Sequence, residues 1–61
     1  MPQLTINFEE QSVTGDIRTQ AGQVLNVKVE VPSDGSLWDK ELIEAALQMS
    51  QQSYPGARWA S

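Results

Sequence analysis

Residues 23–53 read QVLNVKVEVPSDGSLWDKELIEAALQMSQQS, and a change of period inside this stretch decides the fold. Up to Val31 the pattern has period two. Leu25, Val27, Val29 and Val31 share one face, and Asn26, Lys28 and Glu30 share the other, which is a strand with one buried side. Val24 falls on the polar face as an edge exception. Pro32 has no N–H to donate and stops the strand, and Ser33-Asp34-Gly35 supplies turn chemistry. Beyond it the period becomes helical. Ser36 reads as the N-cap with Asp39 three residues on, and Glu41 and Glu44 complement the positive end of the helix dipole. The helix is predicted from Leu37 to Gln52 or Ser53, and Tyr54-Pro55-Gly56 ends it.

Upstream, Leu4, Ile6 and Phe8 alternate with Gln3, Thr5 and Asn7, a first strand with one buried face. Glu9-Glu10 breaks the pattern as a solvated polar turn; adjacent residues there point apart and do not form an acid/base pair. Over residues 11–19, Val13, Gly15 and Ile17 share one face while Ser12, Thr14, Asp16 and Arg18 share the other. Gly15 at an inward position either leaves room for a helix residue to press close or marks a bulge, and the unbroken alternation favours the first. Gln20-Ala21-Gly22 suits a hairpin loop with Gly22 in the left-handed region. The expected fold is α+β: a three-stranded antiparallel β-meander with one C-terminal amphipathic helix packed across it, βββα. Residues 1–61 form one small domain, and residues 55–61 read as a short C-terminal tail or strand.

Composition excludes much chemistry. At 61 residues and 6.7 kDa there is no room for a second core. Cysteine and histidine are both absent, which removes disulfides, thiolate or imidazole metal sites, and catalysis through a histidine base. No Gly-x-Ser-x-Gly turn or Asp-x-Asp-x-Asp-Gly loop appears, and the glycines are too scattered to cradle a phosphate. The expectation is a chain that is not an enzyme and takes no cofactor or metal. Met1-Pro2-Gln3-Leu4-Thr5 does not read as a signal peptide, and no apolar run nears the roughly 20 residues of a membrane span. With no cysteine, the expected compartment is a reducing cytoplasm.

Eight Asp and Glu stand against four Lys and Arg, a net charge of -4. Arg18, Lys28, Lys40 and Arg58 are spread singly, so direct nucleic-acid binding is not expected. The outward sheet face carries no aromatic residue, which also argues against an RNA-stacking platform. A protein partner with a basic patch suits this balance. The carboxylates Asp34, Asp39, Glu41 and Glu44 gather near the helix start, where capping explains most of them and a basic partner would meet them.

On a helical wheel Trp38, Leu42, Ala45, Ala46 and Met49 form one apolar stripe. Packed on Leu4, Ile6, Phe8, Val13, Ile17, Val27 and Val29, this stripe places Trp38 in the core. Ile43, Leu47 and Tyr54 form a second stripe, with Asp39 and Ser50 between the two. The second stripe needs another cover: the tail with Trp59, a second copy of the chain, or a different protein. Trp59 is either docked or presented to a partner, and aromatic residues are favoured anchors at interfaces. The candidate protein-binding residues are Asp39, Ile43, Leu47, Tyr54, Arg58 and Trp59. The alternative is a structural accessory protein that forms a homo-oligomer through the second stripe.

The strand exit and helix start from Pro32 to Glu44, followed by Tyr54-Pro55-Gly56, give an element order that resembles small phage-encoded proteins that bind and inhibit host enzymes, inhibitors of bacterial RNA polymerase among them. The resemblance covers about half the chain, and the segment after Gly56 departs from it, with Arg58 as its one cation. It implies a small acidic binding protein acting in the host cytoplasm, and no residue roles.

Overall fold

Strand alternation in the sequence becomes three antiparallel strands followed by a helix in the computed structural model, which describes residues 4–33 and 35–60. The places expected for Gln3 in the first strand and for Asp34 in the turn and acidic cluster lie outside the described residues. The elements are β1 (Thr5–Asn7), β2 (Ser12–Arg18), β3 (Val24–Glu30), α1 (Asp39–Ser53) and β4 (Arg58–Trp59). β2 is central, flanked by β1 and β3, so the fold is the expected α+β meander with a helix after it.

The pairing of β2 with β3 runs without a slip from Ser12↔Glu30 to Arg18↔Val24 and passes through Gly15↔Val27. Gly15 therefore marks no bulge; it is a buried inward position between the fully buried Val13 and Ile17. The hairpin loop closes through Gly22 N–H donating to the Thr19 carbonyl at 2.9 Å. Gly22 sits at φ 87°, a conformation that costs a residue with a Cβ far more.

Residues 58–60 resolve the open reading of the tail. β4 pairs with β2 through Ile17↔Trp59 and Arg18↔Arg58, and Ala60 N–H donates to the Asp16 carbonyl at 2.9 Å. β1 takes the same edge of β2 at Ser12, Val13 and Thr14. β1 and β4 thus lie one after the other along one side of β2. The turn into β4 fits the sequence: Tyr54 N–H bonds the Ser50 carbonyl, Ala57 N–H bonds the Tyr54 carbonyl at 3.0 Å, and Gly56 has φ 82°.

A methyl at Gly56 would meet the Gln20 side chain at 2.7 Å. Gln20 is exposed and can swing aside, so the backbone angle sets the cost. Gly56→Ala is expected to lower stability by about 1–2 kcal/mol, read as a fall in the melting midpoint, whereas Gly56→Asn should lose less because asparagine tolerates this region.

The core lies where α1 crosses β2 and β3. Val13, Ile17, Leu42, Ala46 and Ala57 are fully buried and Val31 nearly so. Leu4, Ile6, Val29, Leu37, Ala45, Met49 and Trp59 pack around the cluster half-buried. Ser50 is buried against the helix, its hydroxyl donating to the Ala46 carbonyl at 3.1 Å.

Several expectations are corrected. Trp38 is not in the core: it is 73% exposed. It precedes the helix with φ -107° and ψ 172°, and a residue in extended backbone does not follow the helical wheel that placed it inward. The helix begins at Asp39 rather than Leu37, and Trp38 rather than Ser36 stands at the N-cap, without a side-chain cap bond. Phe8 is also largely outside, because β1 stops at Asn7 and the chain turns there. Phe8 meets Trp38 instead, ring centres 6.1 Å apart and tilted by 50°. Ser12, expected to face solvent, is buried, its hydroxyl donating to Glu10 at 3.1 Å.

Candidate functional site

The helix lies mainly over β2, β3 and β4, so one side of it is left open towards β1. There Leu4, Ile6, Ile43, Leu47 and Trp59 wall an open groove of 640 Å³, and Asp39, Lys40 and Glu44 stand at its rim. Each wall has a sequence cause. Ile6 is the inward residue of β1, Leu4 lies just before that strand, and Ile43 and Leu47 are an i, i+4 pair on the second helix stripe. Trp59 is the inward residue of the two-residue β4.

Trp59 is fixed from both ends. Its backbone is paired with Ile17, and its indole N–H donates to the Ile43 carbonyl at 3.2 Å. The side chain of Gln51 donates to the Ala57 carbonyl at 2.8 Å, tying the segment before β4 to the helix. The tail is therefore what meets the second stripe. It covers that stripe only in part, since Ile43, Leu47 and Trp59 all remain half-buried beside the groove. A rigid tryptophan edge is favourable here: its position is set without a partner, so little side-chain freedom is lost when something packs on it.

The six expected site residues divide. Asp39, Ile43, Leu47 and Trp59 come together at this groove. Tyr54 lies on the other flank of the helix, in a shallower depression with Val27, Val29, Met49 and Ser53. Arg58 is exposed and set opposite Arg18 on β2, away from the groove lining. Its neighbour Trp59 faces inward, and successive strand residues point to opposite faces. The wheel grouped Tyr54 with Ile43 and Leu47, but Tyr54 is the cap residue at φ -131° and ψ 80°, outside helical geometry.

Gln11, which the sequence pattern gives no role, ties the β1–β2 turn to the segment that leads into the helix, away from the groove. It is 4% exposed. Its Nε2 donates to the Phe8 carbonyl at 2.9 Å, and its Oε1 accepts from Ser33 Oγ at 2.7 Å and from Leu37 N–H at 3.2 Å. Phe8 and Trp38 follow directly from these two anchored backbones. Its own φ of 56° is the one sign a sequence could not carry, since glutamine is uncommon there.

Charge is unevenly placed. Glu9, Glu10 and Glu30 line a polar depression at the β1–β2 turn. Hydrogen bonds from Lys28, 3.1 Å away, and from Ser12 hold the Glu10 carboxyl below its usual range. No group of His, Cys, Asp or Glu suited to a metal ion occurs among the described residues, and no described helix is long and apolar enough to cross a membrane. Comparison with protein-family models, with curated proteins and with solved structures returns no match, so the groove is read from its own chemistry.

Proposed function

We propose that this chain is a small, non-catalytic protein-binding module that receives apolar side chains of a basic partner segment in the groove between β1 and α1. The observation that carries the reading is the groove itself: five apolar walls, one a tryptophan held in place, under a rim with Asp39 and Glu44 against Lys40. Its volume falls within the roughly 300–1,000 Å³ of ligand clefts, but it is open along its length, which suits a protein segment better than an enclosed small molecule. The acidic balance of the whole chain favours encounter with a basic partner. The absence of cysteine supports a cytoplasmic setting. The narrower role of an inhibitor of a host enzyme, of phage type, is supported by the order of elements alone.

Leu47→Glu tests the groove. Leu47 is half-buried at its wall, so the variant is expected to stay folded by circular dichroism, to keep its mass in solution, and to lose partner binding. A variant that turned from oligomer to monomer would instead assign the stripe to self-association. A variant that still bound its partner would remove the groove from the account.

A further inference from the structure

The free edge of β3 offers a second surface, independent of the groove. Val31 N–H donates to the Gln11 carbonyl, and Thr19 N–H donates to the Gln23 carbonyl, both at 2.8 Å. These bonds flank the unbroken β2–β3 register. Antiparallel pairs alternate between bonded and non-bonded, so Leu25, Val27 and Val29 spend their backbone groups on β2. Val24, Asn26, Lys28 and Glu30 then aim N–H and C=O outward. Ala60 bonding the Asp16 carbonyl on the opposite edge of β2 fits the same alternation.

We infer that β3 pairs with β3 of a second copy of this chain, antiparallel, about a two-fold axis at Val27. An axis at any residue of β3 keeps outward residues facing outward residues, but only one at Val27, the middle of the strand, pairs the whole of it. An axis at Lys28 sets Lys28 against Lys28 and brings Val24 against Pro32, which has no N–H to donate. An axis at Val29 brings Asn26 against Pro32, which has no N–H. An axis at Asn26 runs Glu30 past the strand into the hairpin loop. The axis at Val27 pairs all seven residues of β3, with Asn26 facing Lys28 and Val24 facing Glu30. No like charges meet directly, and each Lys28 amine is already neutralised by Glu10 of its own chain at 3.1 Å.

The inward face gains most. Leu25, Val27 and Val29 are only half-buried under a single helix, and the depression beside them holds Met49 and Tyr54. A second copy continues that apolar row with its own Val29, Val27 and Leu25 and brings its helix flank alongside. Tyr54, exposed in one chain at 39%, falls next to this seam. The β1 groove lies at the far edge of the sheet, so the dimer presents two binding grooves on its outer sides.

Because the chain has no cysteine, single replacements report the register. At the axis, Val27 of each copy forms a non-bonded pair with Cα atoms about 4.5 Å apart, within disulfide reach. Val27→Cys under mild oxidation is expected to give a covalent dimer at least about tenfold faster than Asn26→Cys or Val29→Cys. Lys28→Pro, which removes an outward N–H and an exposed ion pair with Glu10 of little weight for stability, should remain folded and abolish the effect when combined with Val27→Cys. Sedimentation of the unmodified protein should give twice 6.7 kDa. A mass of one chain at every concentration up to millimolar overturns the inference, as does faster cross-linking of Val29→Cys or Asn26→Cys than of Val27→Cys.

Discussion

Leu42→Ala is expected to leave the chain largely unfolded at room temperature. Leu42 is fully buried where the helix meets β2, packed with Val13, Val31 and Ala46. Replacing a buried leucine by alanine costs about 2–5 kcal/mol, and a core of this size rarely supplies more than about 3–5 kcal/mol in all. Its buried neighbour Ala46 has only a methyl group, too little side-chain volume to fill the gap. The measurement is a urea titration followed by circular dichroism. Leu42→Met, nearly equal in volume, should keep a cooperative transition. A Leu42→Ala protein as stable as the parent would mean that the helix does not pack on the sheet in this way.

The second large effect is expected at Gln11, through polar bonds rather than volume. Gln11→Ala leaves the part-buried Leu37 N–H and Phe8 carbonyl without their partner; a fully buried unpaired group costs about 1–3 kcal/mol, and these two, within reach of water, cost less each. The damage should be local before it is global. Amide exchange at Leu37 should rise more than at Val13 or Ile17, and Trp38 emission should change because both backbones that seat the Phe8–Trp38 pair are released. Gln11→Glu separates charge from shape. It keeps the acceptor for Ser33 and Leu37 but places a carboxylate in a buried position that shares a depression with Glu9, Glu10 and Glu30. Burial and like charge raise a carboxyl pKa in the folded state. Its destabilisation is therefore present at neutral pH and relieved as the pH falls through that raised value. Equal exchange at Leu37 and Val13 in Gln11→Ala would contradict the local role.

The elements that repeat a pattern were legible in the sequence. β2 and β3 alternate over seven residues each, the loop before β3 carries Gly22 where a left-handed residue is required, and Tyr54-Pro55-Gly56 closes the helix. What was not legible depends on single residues at the ends of elements. Trp38 and Tyr54 were placed by a helical wheel, yet both sit just outside the helix, where the wheel has no meaning. Phe8 continues the alternation of β1 in sequence but lies past the strand. β4 is two residues long and has no period to read; its place against β2 follows from an edge that β1 leaves free. Gln11 looks like any polar turn residue, and only the fold brings Ser33 and Leu37 to it. Of the candidate site, Ile43, Leu47 and Trp59 were found because they lie on a stripe and a tail that needed covering. The sequence pattern puts Leu4 and Ile6 in the core, and their share in the groove follows from the helix lying over β2, β3 and β4 and leaving β1 partly uncovered.

The most direct test of the groove is quantitative affinity capture, with the parent chain and the Leu47→Glu variant as matched baits, read by mass spectrometry and followed by direct titration of the enriched protein. The account predicts a basic protein that is enriched on the parent, binds it directly, and is lost on the variant while the variant keeps its fold. The same protein bound equally well by both baits would contradict the assignment of this groove as the binding site.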